Sequence, residues 1–334
     1  MWTPNEQEKN LLKQCASPDL NVAYAAREKV AKAVEVPLRS GIQPGDIHSD
    51  IFTEIPAEGL STMEFPLDFL APGMESEMAG FTMPSFGAIA QKHIQGDYVN
   101  VPLYYIANSI DYDLRYVRNA RWDVVSSAAQ RMQQGMIKKK NDDAWHTLLA
   151  AAFNRNIIVA DSDAAAGTFS VRLVSLLKLV MRRNGGGNSS SVNRFNLTDL
   201  FISPECLADI RSWNVDQVDE VTRREIFTSA DGVLNRIFNV NLHDIDELGE
   251  GQEYNTYFGT GALGATLPTA GNAKLELVVG MDLSKNGSFV SPIGEALAVY
   301  PDDTKRRSLQ AGMYCTEARG WACLDSRCIL AGAV

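Results

Sequence analysis

The pattern of apolar and polar residues predicts a long β-hairpin that leads directly into one long helix. The hairpin arms are residues 63–70 and 98–106, whose Phe, Tyr, Val and Leu favour strands. Pro66 and Pro102 lie within the arms, and because proline cannot donate to a ladder, we expect edge or partly unpaired strands. The connection between the arms is rich in Gly and in Met, a side chain that adapts to irregular surfaces.

The helix is predicted to run from Trp122 to Phe153, because apolar residues recur there near the helical spacing. If unbroken, it spans roughly 48 Å at about 1.5 Å for each residue. Its middle carries a run of lysines at residues 138–140, followed by two aspartates. The run indicates a solvated face of the helix, and the alternative is a contact to nucleic acid.

A hairpin of this size cannot bury its own faces, and connections this long are uncommon in compact domains. We therefore predict that the hairpin lies across a neighbouring subunit, which favours assembly over catalysis. The alternative is a surface loop that is merely long. The predicted contacts to the neighbour are the large apolar side chains of the hairpin, namely Phe65, Phe69, Met74, Met78, Phe81, Met83, Phe86, Tyr98 and Tyr104.

Two helices are predicted before the hairpin, at residues 5–16 and 20–35. Pro37 and Gly41 are expected to close the second helix, and residues 37–58 read as an extended connector. These features indicate an N-terminal arm rather than a domain with its own core. The stripe that the second helix is expected to bury consists of Val22, Ala25, Ala26, Val30 and Ala33.

The residues after the long helix predict a compact α/β unit. An amphipathic helix is expected over residues 169–183, and Ser203, with proline and glutamate next to it, has the residue type that caps a second helix. The tail, residues 308–331, predicts two strands joined near Gly320. The other strands expected in this unit are residues 200–202, 236–242, 275–281 and 295–300.

The composition is that of an ordinary soluble globular protein, with 45% hydrophobic and 22% charged residues among 334. The formal net charge of -10 argues against a protein whose main task is to grip nucleic acid, because phosphate binding normally needs a basic surface. No apolar run approaches the roughly 20 residues of a membrane helix. The N-terminus lacks the basic and apolar blocks of a signal peptide, so none is expected.

The five cysteines are odd in number and irregular in spacing, which favours reduced thiols in a cytosolic setting over a disulfide framework. Cys323 and Cys328 could contribute to a metal site, but the four histidines are scattered along the chain. We therefore predict no metal site, no cofactor and no catalytic residue.

One glycine-rich motif competes with this interpretation. Residues 259–264 match the dinucleotide-binding pattern GxGxxG, which needs a preceding strand and a following helix whose amides hold a pyrophosphate. Pro268 and Gly271 leave little room for that helix, so a glycine-rich surface loop is favoured. The alternative is a nucleotide-binding enzyme in which Glu276 or Asp282 would hold the ribose.

Three stretches of the chain carry a resemblance to a known family. They are residues 101–118, which lead from a strand into the long helix, residues 200–211, a strand followed by a helix, and residues 312–330, where Arg319-Gly320-Trp321 precedes an apolar stretch. The order of these parts resembles that of the major capsid proteins of tailed bacteriophages, which have the HK97-like fold.

The resemblance implies an α+β, HK97-like capsid fold with a long spine helix, a peripheral domain and an α/β axial domain. Its parts would be an N-terminal arm (1–58), an extended β-hairpin loop (59–111), a peripheral domain with the spine helix (112–157), an α/β axial domain (158–300) and a return to the peripheral domain (301–334).

The resemblance also implies a structural protein, not an enzyme, that self-assembles through hexamers and pentamers into an icosahedral phage head. Its partners would be further copies of itself, a scaffolding protein, a portal and a head-decoration or cement protein. Double-stranded DNA would be enclosed without sequence specificity, in a virion whose capsid assembles in the host cytoplasm. The alternative within the same fold is an encapsulin-type nanocompartment, which packages a cargo enzyme instead of DNA.

Overall fold

The computed structural model of the chain consists of two compact units. Unit 1 comprises Met1–Met63, Asn100–Ala144 and Val290–Trp321, and unit 2 comprises Glu64–Val99, Trp145–Phe289 and Ala322–Val334. The structure describes residues 6–17, 19–42, 50–66, 98–118, 122–165, 167–184, 195–213, 236–259, 262–266, 276–284, 287–302, 304 and 309–334.

The predicted long helix is confirmed, with both ends within one residue of the prediction. The predicted cap of a shorter helix is also confirmed, because the Ser203 hydroxyl accepts a hydrogen bond from the Cys206 amide at 3.1 Å. The helices are α1 (Glu6–Cys15), α2 (Leu20–Ile42), α3 (Leu114–Arg118), α4 (Trp122–Asn154), α5 (Val171–Asn184), α6 (Pro204–Ser212) and α7 (Glu253–Gly259).

The described strands form three sheets. The strands are β1 (Thr53–Pro56), β2 (Thr62–Pro66), β3 (Tyr98–Pro102), β4 (Tyr104–Asp113), β5 (Ile158–Ala160), β6 (Asp199–Ile202), β7 (Arg236–Ile237), β8 (Val240–Asp244), β9 (Leu277–Met281), β10 (Phe289–Asp302), β11 (Gln310–Arg319), β12 (Ala322–Cys323) and β13 (Ile329–Ala333). One sheet runs β1-β10-β11-β4, a second runs β5-β13-β9-β6-β8-β7, and β2 and β3 form a two-stranded sheet.

Unit 1 is built on the sheet β1-β10-β11-β4, which buries one face against helix α4. Met313 and Cys315 of β11 are buried, whereas Tyr314 between them is exposed, as expected for a strand with one covered face. Asn108 lies opposite Cys315 on β4 and donates to the backbone carbonyl of Met132 at 3.0 Å. This hydrogen bond fastens the apolar face of the sheet to the helix.

Unit 2 is built on the six-stranded sheet. Its strands β9 and β13 are buried along their whole length, which explains why both are continuous apolar runs rather than alternating ones. Helix α5 approaches β13 closely at Gly332, where an added Cβ would lie 3.4 Å from the Leu177 side chain. The face of α5 that is buried consists of Leu173, Val174, Leu177, Met181 and Asn184.

The structure corrects the single strand predicted over residues 236–242. These residues form a tight antiparallel hairpin of β7 and β8. Phe238 and Asn239 between the strands have φ angles of 46° and 66°, the left-handed conformation that two-residue hairpins require. Apolar and polar residues alternate from Phe238 to Leu242, and no glycine marks the turn, so the local pattern did not reveal the reversal.

Helix α2 corrects the predicted end of the N-terminal helices. It continues through Pro37 to Ile42, although proline has no amide to donate within a helix. Ala26 and Val30 are buried as predicted, but Val22 is 43% exposed, so the covered stripe is rotated from the predicted one.

Two connections also differ from the prediction. Strand β1, in the region predicted as an extended connector, pairs parallel with β10. Strand β11 ends at Arg319 as expected, but the next long strand, β13, begins only at Ile329 and pairs with β5 and β9 in the other sheet. These partners are distant in sequence, and a local pattern carries no information about them.

We expect Gly320→Ala to lower the free energy of unfolding by about 1–3 kcal/mol, because its Cβ would lie 2.6 Å from the backbone oxygen of Pro102 and force the chain apart. The matched control is Gly294→Ala, whose Cβ would first meet the Leu103 side chain at an ordinary 3.4 Å. Chemical denaturation of both variants measures the difference, and equal stabilities would contradict the expectation.

Candidate assembly surfaces

The base of the predicted hairpin is present as the two-stranded sheet of β2 and β3, which joins neither of the larger sheets. The Leu103 amide donates to the carbonyl of Ser61 at 3.0 Å and continues the pairing beyond the strand ends. Because a two-stranded sheet has too little area to stabilise itself, its faces need a covering surface.

The predicted contact residues fall into three groups. Phe65 is 7% exposed, so its side chain is covered within the single subunit. Tyr98 and Tyr104 are 62% and 39% exposed and are available to a neighbour. The other candidates lie outside the described residues, and their role stays a prediction: Phe69, Met74, Met78, Phe81, Met83 and Phe86.

Tyr104 also belongs to the interior of unit 1. Its ring lies 5.7 Å from the ring of Trp321 between centroids. Burial and the neighbouring Asp143 carboxylate, which accepts its hydrogen bond, raise the pKa of the Tyr104 hydroxyl. The group therefore remains a protonated donor across the physiological range. The side chain is held at one end by unit 1 while part of its surface faces outward.

The most deeply buried charge of unit 1 is Arg319, which is 1% exposed. Its guanidinium contacts the carboxylate of Glu54 on β1, and its Nη1 lies 3.6 Å from Oε1 of Glu317 on its own strand. The same group lies 5.9 Å from the centre of the Trp321 ring. Arginine suits such a site because its planar fork can serve several acceptors and stack on an aromatic ring.

Glu317 connects this arginine to helix α4. Its Oε2 lies 3.1 Å from Nζ of Lys140, and both side chains are buried. Lys139, by contrast, is largely exposed and pairs with Asp143 at 2.6 Å, one turn along the helix. The prediction of a solvated lysine face is therefore wrong for Lys140, whose position on the inner side of the helix places it against the sheet.

We call Glu54, Lys140, Glu317 and Arg319 the buried charge cluster; the side chains of Lys140, Glu317 and Arg319 are buried, and that of Glu54, which contacts Arg319, is 51% exposed. The cluster joins β1, α4 and β11, three segments that are far apart in the sequence. Burial of charges costs desolvation energy, so such a cluster contributes little net stability but strongly disfavours arrangements in which one member loses its partners. Sequence reasoning missed it, since no spacing rule links these four residues.

A second polar cluster lies on the paired strands β6 and β8 of unit 2. His243 Nε2 and Asn241 Nδ2 lie 2.9 Å and 3.0 Å from Oδ1 of Asp199. Burial opposes ionisation of Asp199, but the hydrogen bonds from His243, Thr198 and Asn241 outweigh it and lower the pKa of the carboxyl. The register of the two strands places these groups together, so the cluster acts as a cross-strand clamp.

The glycine motif is preceded by a helix, not by a strand. Helix α7 ends at Gly259, and the amides of Leu263 and Ala265 donate back to the carbonyls of Tyr257 and Phe258. These bonds close the carboxyl end of a helix, where carbonyls and not amides face the loop. The geometry supports the predicted surface loop and opposes a pyrophosphate site.

The two acids considered for ribose binding have structural partners. Glu276 accepts hydrogen bonds from the Ser203 hydroxyl at 2.7 Å and from the Cys206 thiol at 3.2 Å. Asp282 is fully buried and accepts from the backbone amide of Asn196 at 2.8 Å. Both carboxylates therefore fix the backbone around the six-stranded sheet.

All five cysteines are free thiols. Burial raises the pKa of Cys15 and Cys315 to about 11 and that of Cys328 to about 12. Burial likewise raises the pKa of Cys206 and Cys323.

Within the described residues, no group of three or more His, Cys, Asp and Glu side chains could hold a metal ion. No described helix is long and apolar enough to cross a membrane.

No protein-family model matches the sequence, and no curated protein matches it. Solved structures do match the fold. The cyanophage Pam1 capsid asymmetric unit has a TM-score of 0.58 at 11% identity, over 85% of this chain and 88% of that chain. A structure of Microbacterium phage Oxtober96 has a TM-score of 0.55 at 12% identity, over 87% and 90%. The mature capsid of bacteriophage PhiM1 has a TM-score of 0.53 at 10% identity, over 85% of each chain.

These matches establish the architecture of the chain. It has the α+β, HK97-like fold of phage capsid structures, as the sequence resemblance implied. At identities near one residue in ten, the shared property is the fold. The function of the chain therefore has to be argued from its own exposed residues.

We expect Lys140→Met to lower the free energy of unfolding of the unassembled subunit by about 3 kcal/mol, because it leaves the buried Glu317 carboxylate short of a partner. Lys139→Met removes an ammonium that is 58% exposed, and the Asp143 carboxylate keeps the hydrogen bond from Tyr104, so the change is expected to cost less than about 1 kcal/mol. Denaturant titration of the two variants provides the comparison. A similar loss of unfolding free energy in both variants would show that the buried pair of Lys140 and Glu317 contributes no more than the exposed lysine does.

We expect the native thiols to react with iodoacetamide more than about a hundredfold more slowly at pH 8 than the unfolded chain. A thiol with a pKa of about 11 is about one thousandth thiolate at that pH, whereas an unfolded thiol has a pKa of about 8.5. The native rate should rise about tenfold with each pH unit up to the raised pKa. Rapid labelling of Cys15 or Cys315 in the folded protein would contradict this.

Proposed function

We propose that the chain is the major capsid protein of a tailed bacteriophage and that it self-assembles through hexamers and pentamers into an icosahedral head. The observation that carries the proposal is the match of about 85% of the chain to phage capsid structures. The match includes most of the chain rather than one module, so it concerns the whole architecture.

The surfaces of the subunit support this role. The two-stranded sheet of β2 and β3 stands apart from the larger sheets, and Tyr98 on it is 62% exposed. An exposed aromatic side chain on a sheet that buries only Phe65 and Val101 within the chain is suited to an interface, where aromatic residues are enriched. In the proposed shell the hairpin lies on a neighbouring subunit, which supplies the surface that the sheet lacks.

The acidic balance supports a shell that encloses double-stranded DNA without gripping it. With a net charge of -10, the chain as a whole repels phosphates, so packaged DNA is retained by the closed shell rather than by tight binding. Further partners in this role are a scaffolding protein, a portal and a head-decoration or cement protein. The protein then belongs to the virion and assembles in the host cytoplasm.

The role is structural and not enzymatic. The polar clusters described above hold backbone segments together, and the glycine motif closes a helix. An encapsulin-type shell would share the fold but package a cargo enzyme. The content of purified particles separates the two, since DNA supports the phage head and a protein cargo supports the nanocompartment.

We expect the purified protein, alone or with its scaffold, to form hexamers, pentamers or megadalton particles visible by electron microscopy. Tyr98→Ser should leave the fold intact, because the side chain is largely exposed, and should reduce particle yield by removing an interface anchor. Tyr116→Ser, at a side chain that is 42% exposed on helix α3, is the matched control. A wild-type protein that stays monomeric under all assembly conditions would exclude the proposed function.

A further inference from the structure

Unit 2 carries two charged surfaces of opposite sign. The basic cleft is a concave site of about 390 Å³ between helix α5 and the segment before strand β6. The acidic loop follows strand β8. The cleft is lined by Lys178, Leu179, Arg182, Arg183, Asn196 and Leu197. The exposed carboxylates of the loop are Asp244, Asp246, Glu247 and Glu250.

The cations of the cleft are positioned but not neutralised. Nζ of Lys178 donates a hydrogen bond to the backbone carbonyl of Phe238 at 2.7 Å. This bond fixes the position of the ammonium, but a neutral carbonyl does not cancel its charge. Arg182 and Arg183 are exposed in the last turn of α5. In the part of the chain that the structure describes, neither arginine has a carboxylate within ion-pair distance.

The acidic loop is held in shape by its own backbone. Ile245 and Leu248 are buried and anchor it to the core of unit 2. The Gly249 amide donates to the carbonyl of Asp246 at 3.3 Å, and the Gly249 carbonyl accepts from the Asn255 side chain at 3.2 Å. A loop that is already ordered loses little conformational entropy when it binds. Its exposed carboxylates therefore form a preformed acidic surface.

The two surfaces lie at opposite ends of the same strands. Asn196 precedes β6 and Phe238 precedes β8, and because β6 and β8 are parallel, the basic cleft lies at their amino ends. The acidic loop follows the carboxyl end of β8. A strand of this length separates the ends by more than about 13 Å. The loop therefore does not neutralise the cleft of its own subunit.

We propose that the basic cleft of one copy receives the acidic loop of the next copy. The proposal rests on the proposed function, in which the chain is a self-assembling subunit, and names a contact that assembly uses. Because the two surfaces differ, the contact is head-to-tail, and such contacts close into rings when the rotation between copies permits. Complementary charge steers the encounter and fixes the register.

A second copy fits the cleft better than nucleic acid does. The cations share the cleft with apolar side chains: Leu179 is 44% exposed, and Leu197 is a buried part of the lining. A protein loop can cover that apolar area, whereas a phosphate backbone gains nothing from it. Nucleic acid also calls for an extended basic tract, and the chain carries a net charge of -10.

The test uses charge reversal in the full chain, with self-association measured by sedimentation velocity at low and high salt. R182E/R183E and D246K/E247K should each fold normally by circular dichroism. Each should weaken self-association by more than about tenfold, because like charges then face each other. An equimolar mixture of the two variants should restore association, since alternating copies again place opposite charges together.

R211E/R236E is the matched control, because it reverses two exposed arginines of the same unit outside the cleft, and it should associate like the wild type. Should a double variant fail to fold, the single reversals R183E and E247K give the same comparison. Normal association of the cleft variants, or no recovery in the mixture, overturns the proposal. A cleft variant that forms normal particles with less DNA assigns the cleft to nucleic acid and overturns it as well.

The outcomes also separate this contact from the proposed function. Closed shells that form regardless of charge reversal support the proposed function and exclude the contact between the basic cleft and the acidic loop. If association is salt-sensitive and is restored in the mixture, but no shells form under any condition, the contact is supported and the proposed capsid function is excluded. A wild-type chain that never self-associates removes both.

Discussion

The need to pair charges inside unit 1 constrains how its segments come together. Arg319 cannot be buried without Glu54 and Glu317, and Glu317 in turn requires Lys140 on the long helix. An arrangement that separates Arg319, Glu317 or Lys140 from its partners leaves a charge in a region of low dielectric, which is strongly unfavourable. The cluster thereby selects one packing of the amino-terminal strand, the sheet and helix α4. Apolar packing alone would tolerate more variation.

A subunit organised in this way has a rigid frame and surfaces that are incompletely covered. The sheet of unit 1 buries one face on helix α4, whereas the small sheet of β2 and β3 buries Phe65 and Val101 and leaves Tyr98 exposed. In the proposed shell, one sequence occupies many positions that are alike but not identical. A rigid frame preserves the subunit, and many modest contacts between copies add up to a stable particle.

The elements with strong local signals were predicted well. Helix α4 was found from its apolar spacing, the cap at Ser203 from its residue type, and the buried strand β9 from its apolar run. The base of the hairpin was found from its strand-forming residues, but the predicted second arm, residues 98–106, divides into β3 and the start of β4, which pairs with β11 in the sheet of unit 1. In each case a few adjacent residues favour the helix, cap or strand conformation by themselves, so the structure can be predicted from the local sequence. Of the candidate contacts, Phe65 is covered in the single subunit while Tyr98 and Tyr104 are exposed.

Other features required the folded chain. The reversal at Phe238 and Asn239 lacks the usual glycine, and Pro37 lies within a helix that it was expected to end. Strand pairing, the burial of Lys140 and the position of the acidic loop opposite the basic cleft all join residues distant in sequence. Sequence patterns therefore determined which segments are helix, strand or loop, because those preferences are local. The choice of neighbours came from packing and charge pairing in three dimensions, which no local spacing records.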